Sequence, residues 1–142
     1  MERTVYRPQD GAGYARAVVI DHPTHQQIAM AGVIPTDDAG NIVGSDDMYA
    51  QTQQVYANIA DHLAEFGGEL ADIIRHRVFV TTMSDEAING FHDAHTELFD
   101  SPEDFPAGTL VEIESLVLGE AMIEIEVDAV IPHDGWEHTV EQ

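Results

Sequence analysis

The chain has 142 residues, with 27 Asp or Glu, five Arg, no Lys and no Cys, for a formal charge of -22. That length, with 44% hydrophobic residues, fits one domain with a real core over 1–142. The charge repels nucleic acid and anionic membranes, the missing cysteine excludes disulfides and thiol chemistry, and no apolar run approaches a membrane span. Acid is spread along the chain rather than gathered in a tail, which points to a surface adapted to high salt rather than to disorder. The N-terminal MERTVYRPQDG lacks the apolar core of a signal peptide, so a cytoplasmic protein of a high-salt organism is expected.

Residues 1–12 are polar, contain Pro8, and read as an edge strand or a frayed arm. Tyr14 to Ile20 reads as a strand, DHPTHQQ as a turn around Pro23, and Gln27 to Ala31 as the returning strand of a hairpin. Ser45, Asp46 and Asp47 open a helix, with side-chain acceptors and negative charge at its positive end. Val55, Ile59, Leu63 and Phe66 give it one core-facing stripe, and Gly67-Gly68 ends it.

Asp72 to Met83 reads as a strand, with Ile74, His76, Val78 and Val80 on one face and Arg75, Arg77, Phe79 and Thr81 on the other. Ser84 caps a second helix, whose Ile88, Phe91, Leu98 and Phe99 share a side and whose Gly90 weakens it. Pro102 and Pro106 end that helix, and Leu110 to Leu118 reads as the next strand. From Ala121 to Ile131 every odd position is apolar, while Glu124, Glu126 and Asp128 lie opposite. That is a strand buried on one side. Residues 133–142 read as a frayed tail, with Trp136 anchoring it to a neighbour.

The expected architecture is α+β. One mixed sheet, built from strand pairs adjacent in sequence, is covered on one face by two helices. Its uncovered face carries Arg75, Arg77, Glu124 and Glu126 beside Phe79 and Met122, which suits subunit packing around a wet cleft and predicts a homo-oligomer. A carboxylate acting as base at Glu124 needs a raised pKa from burial or from Glu126, about 7 Å along the strand, while nearby arginines push the other way. Arg75 and Arg77 are expected to pair with Glu124, Glu126 or the Glu112/Glu114 pair. His22/His25 and His92/His95 each lack an obvious third ligand, so no metal site is expected. No G-x-S-x-G elbow and no phosphate-binding glycine loop occur.

Six segments in order carry a resemblance: GYARAV at 13–18, MAGVIP at 30–35, AQTQQVYANI at 50–59, VFVTTMSD at 78–85, FPAGTLVEI at 105–113 and IEIEVDAV at 123–130. Together they resemble the RidA/YjgF/UK114 family of small trimeric proteins, whose typical active members hydrolyse enamines and imines to ketoacids and ammonia. The resemblance implies a YjgF/chorismate mutase-like fold, a homotrimer with a barrel-like core, small-molecule ligands at subunit interfaces and no cofactor. By the same resemblance Glu124 is the catalytic acid that positions water. Tyr14 and the backbone at Gly32 line the cleft, and Gly108 and Thr109 are substrate-binding positions.

Gly108 stands where typical deaminases carry the arginine of P-A-R-S that grips a substrate carboxylate, and a glycine offers only a backbone amide there. Arg16 either replaces that positive charge from another strand or forms a salt bridge. Three accounts follow: an imine or enamine hydrolase of altered specificity, a non-catalytic small-molecule-binding or chaperone-like homologue, or a different hydrolytic or tautomerising step.

Overall fold

The computed structural model describes residues 1–141. Six strands form one mixed sheet: β1 (Glu2–Tyr6), β2 (Ala17–Asp21), β3 (His25–Met30), β4 (Ile73–Val80), β5 (Ala107–Glu112) and β6 (Ile123–Pro132), in the order β1-β2-β3-β6-β4-β5. Two helices, α1 (Met48–Ala64) and α2 (Asp85–Leu98), supply the apolar partners of one face. Val55, Ile59 and Leu63 of α1 are fully buried with Ile123, Ile125 and Val127 of β6. Asp47 caps α1 by accepting from the Ala50 amide at 3.1 Å, and Ser84 caps α2 by accepting from Ala87 at 3.2 Å.

The α+β architecture holds, with corrections to its parts. Of the two expectations for the N-terminal stretch, edge strand or frayed arm, residues 2–6 take the first and lie antiparallel to β2. The strand expected from Tyr14 begins at Ala17, although the Arg16 amide still donates to Tyr6 O at 2.8 Å. Ile74 does not join the inward face of β4. A register shift between Ile73 and Arg75 makes Ile74 the extra residue and turns it outward, 47% exposed.

The largest correction concerns pairing. β6 lies between β3 and β4, antiparallel to both, so the last two strands of the chain are not neighbours. β5 lies parallel to β4 at the far edge, joined to it through α2. The strand expected over Leu110 to Leu118 is therefore Ala107–Glu112 instead, and residues 113–118 hold no regular strand. Both edges of β6 are already bonded, which leaves that segment no ladder to join. At the tail, Trp136 Nε1 donates to Asp72 Oδ1 at 2.8 Å, an anchor within its own chain rather than on a neighbour. Gln142, the end of the expected frayed tail, lies outside the described residues.

Gly90 has a packing reason. A Cβ there would stand 3.0 Å from the Tyr49 amide nitrogen, so glycine lets α2 approach the start of α1. Gln51 ties that end of α1 to the sheet. Fully buried, it donates to Gly44 O at 3.2 Å and Glu120 O at 2.9 Å, and its Oε1 accepts from the Met122 amide at 2.7 Å. Gly44 O still accepts from the Asp47 amide, so Gln51→Leu leaves Glu120 O and the Met122 amide without their partner and is expected to destabilise the fold by about 2 kcal/mol in urea unfolding at constant high KCl. An unchanged midpoint contradicts that role.

Candidate functional site

Glu124 sits on β6 and points to the open face, in register with Phe79 of β4. Immediately after β3 the chain bulges by one residue and continues antiparallel along the same edge of β6. Val33 donates to Ile125 O at 2.8 Å and Ile125 donates to Val33 O at 3.0 Å. This bridge presses Gly32 onto Glu124, where an added Cβ would lie 2.7 Å from the carboxyl carbon. Only glycine gives that clearance. The carboxyl is half-buried, and burial first, then the neighbouring Glu126, pushes its pKa up.

The arginine that would oppose this is engaged elsewhere. Arg77 pairs with Glu126 at 3.3 Å and with Asp128 at 3.2 Å, further along the same strand. Of the pairings expected for Arg75 and Arg77, the one with Glu126 is present. Arg75, opposite Asp128 and Ala107 in register, is exposed and has no ion pair among the described residues.

A cleft of about 200 Å³ lies on the other side of Gly32, lined also by Tyr14, Arg16, Thr36, Asn58 and His62. Asn58 shapes its wall, donating to Ile34 O at 3.2 Å and Thr36 O at 2.9 Å, while its own oxygen accepts from Gln54 at 2.8 Å. Neither amide was singled out in the sequence. Their spacing of four on the polar side of α1 is the signal that marks them. Arg16 forks onto Glu65 at 3.2 and 2.7 Å, and its guanidinium carbon lies 5.5 Å from the Tyr6 ring centre. Its hydrogen bonds, and to a smaller extent its charge, lower the Glu65 pKa. At this partly exposed site the pair contributes at most about 1 kcal/mol to stability.

Gly108 and Thr109 sit apart from this group. Gly108 is in register with His76, which faces Val127, whereas Glu124 faces Phe79. Three residues along and two strands across separate Gly108 from Glu124 by roughly 14 Å. Within one chain Tyr14, Arg16 and Gly32 line one cleft, Glu124 meets only Gly32 on its far side, and Gly108 lies apart with Thr109.

A buried imidazole lies over Gly108. His76 Nδ1 bonds the Tyr56 hydroxyl at 2.8 Å, and its ring packs 5.1 Å from that of His95. Burial, with a smaller contribution from His95, pushes the His76 pKa down from 6.5 to about 4. Tyr56 is fully buried, and burial raises its pKa. Sequence reasoning placed His76 in a core stripe and missed this pair. The other histidines separate: His92 is exposed, while His95 turns inward and leaves a buried, unpaired Nε2. His22 and His25 stack at 4.4 Å beside the hairpin turn, and the described residues hold no cluster of three metal-ligating groups.

Comparison with known proteins places this geometry in a family. Residues 4–131 match the family described as Endoribonuclease L-PSP. The chain is 33% identical over 99 residues to a 3-aminoacrylate deaminase RutC of Acinetobacter baylyi, covering 69% of this chain and 74% of that protein. Two solved structures share the fold at 28% identity. A Yersinia pestis protein of the conserved Rid family has a TM-score of 0.75, covering 90% of this chain and 98% of its own. A Mycobacterium tuberculosis member of the YjgF/YER057c/UK114 family has a TM-score of 0.71, covering 92% and 100%.

The His76 shift has a sign that can be checked. A group kept neutral in the fold binds its proton more readily when unfolded, so its stabilisation is complete above pH 6.5 and is lost as pH falls toward about 4. The full loss amounts to about 3 kcal/mol. Carboxylate protonation acts over the same range, so the expected readout is the difference between the natural chain and His76→Phe. The variant's stability falls less steeply across that window in urea titrations. Parallel pH profiles contradict the assignment.

Proposed function

Because the chain belongs to the RidA/YjgF/UK114 family, we propose that it hydrolyses small imines or enamines to carbonyl compounds and ammonia, with Glu124 as the proton-transfer group. One observation carries this: Glu124 is packed against Gly32, its proton affinity is raised by burial and by Glu126, and Arg77 is occupied by Glu126 and Asp128. A carboxyl tuned upward in this way is a stronger base than an ordinary glutamate and can both take and return a proton. Water adds through oxygen to the C=N carbon as Glu124 accepts one of its protons, the C=N electron pair moves to nitrogen, and Glu124 passes that proton to the nitrogen. Ionised again, Glu124 takes the hydroxyl proton of the resulting carbinolamine and delivers it to the amine nitrogen. The C–N bond then breaks as C=O forms, so imine and water become carbonyl and ammonia.

The 33% identity to a protein named a 3-aminoacrylate deaminase supports the reaction class. The separation of Gly108 and Thr109 from Glu124 supports a homotrimer in which a second copy brings its β5 edge to the cleft, as the family fold accommodates. The Arg16 fork is already filled by Glu65, so that residue is given the lip of the cleft rather than a substrate carboxylate. RNA is a poor substrate for this surface despite the family's endoribonuclease description. A chain of net charge -22, with five arginines and no lysine, repels a phosphate backbone and has few cations with which to release its counterions.

The commitment of Arg16 and the glycine at 108 favour a second reading, a small-molecule binder without turnover. Ammonia release separates the two. Imines generated freshly by N-chlorination of amines and loss of HCl are added to the protein in multimolar KCl. Glu124→Gln is expected to lower kcat/KM by about a hundredfold or more. Gly32→Ala, which forces the carboxyl aside, is expected to lower it about tenfold with the fold intact. Equal ammonia release from the natural chain and from Glu124→Gln contradicts the proposal. No release from a folded natural chain leaves the binder.

A further inference from the structure

The imidazole of His76 is 94% buried, and Nε2 has no hydrogen-bond partner among the described residues. Every other side of the ring is held. Tyr56 fixes Nδ1, and the rings of His95 and Phe99 pack 5.1 and 6.5 Å away. The buried Tyr56 hydroxyl has no other acceptor among the described residues, and assigning it as donor to Nδ1 puts the imidazole hydrogen on Nε2. Nε2 points at Gly108, where an added Cβ would overlap Nε2 and come within 2.8 Å of Cδ2. Glycine is therefore required at 108 as long as the imidazole keeps this place. β5 is otherwise open, since its residues are exposed except the half-buried Leu110. The gap over Gly108 is thus the route by which solvent-side groups reach Nε2.

We propose that His76 contacts the bound small molecule, its Nε2–H donating across the Gly108 gap to an uncharged acceptor such as an amide or ketone oxygen. This rests on the reading of Gly108 and Thr109 as one wall of the ligand site. Nε2, unlike the buried Nε2 of His95, keeps an edge open to solvent at this gap, so a ligand acceptor there takes the place of water. The ring is held neutral at physiological pH, and both arginines nearest the Glu124 cleft are already paired with carboxylates. A neutral donor of this kind matches a carbonyl better than a carboxylate, whose burial calls for a charged partner. The substrate class that follows is the imine or enamine of an amide or another uncharged carbonyl compound, rather than of a free 2-amino acid.

Two measurements test this in the natural full-length chain in multimolar KCl. The first is isotope-edited NMR of the imidazole nitrogens during addition of pyruvamide or pyruvate. The His76 Nε2 resonance is expected to move with pyruvamide and not with pyruvate, and Gly108→Ala is expected to abolish the response. No movement with either probe overturns the contact, and an equal response to pyruvate overturns the preference for an uncharged acceptor. The second is the ratio of kcat/KM for the imines of alaninamide and alanine, expected to fall about tenfold in His76→Phe, and an unchanged ratio overturns the preference for an uncharged acceptor. If the natural chain releases no ammonia yet Nε2 still answers to pyruvamide, the hydrolase reading fails and the His76 contact stands.

Discussion

The site depends on β6 being bonded along both edges. Flanked by β3 and β4, the strand buries Ile123, Ile125, Val127 and Ala129 under the helices and has to present Glu124, Glu126 and Asp128 on the opposite face. The antiparallel register with β4 then sorts the charges. Arg77 lies opposite Glu126 and within reach of Asp128, whereas Glu124 meets Phe79. A register slipped by two residues would put the guanidinium on Glu124 and pull its pKa down. The Val33–Ile125 bridge adds the second constraint by setting Gly32 against the carboxyl. Catalytic potential here is a matter of which acid the arginine does not reach.

Scarcity of positive charge gives each arginine weight. Arg16 joins the turn before β2 to the end of α1 through Glu65, and Arg77 joins β4 to β6. At multimolar ionic strength repulsion between distant carboxylates is screened within a few ångströms, while groups in direct contact still interact. The compact state of so acidic a chain is thereby favoured in salt, and these contact pairs persist where long-range fields do not.

How far the sequence could be read follows from how local each feature is. Period two from 121 to 131 and the stripe Val55, Ile59, Leu63 are written within one element, and both appear as expected. The central place of β6 is not local, because β3, β4 and β6 meet across spans of chain that carry no pairing signal. The bulge that turns Ile74 outward likewise appears only against a partner strand. In the site, Glu124, Gly32, Tyr14, Gly108 and Thr109 became visible through resemblance rather than spacing. The Arg16–Glu65 fork spans 49 positions, and although a salt bridge was one expected fate for Arg16, its partner was not legible. His76 read as a member of an apolar stripe, and Tyr56 lay beside the helix stripe without being part of it. Their hydroxyl–imidazole pair exists only because α1 packs over β4.

The claim that Arg77 leaves Glu124 cation-free is most directly tested by following the side-chain carboxyl carbon of Glu124 by NMR through a pH titration in high KCl. A midpoint above the ordinary glutamate value of 4.5, moving back toward it in Glu126→Gln, is the predicted result. A midpoint at or below that value contradicts the charge sorting along β6 and removes the basis for Glu124 as the proton-transfer group.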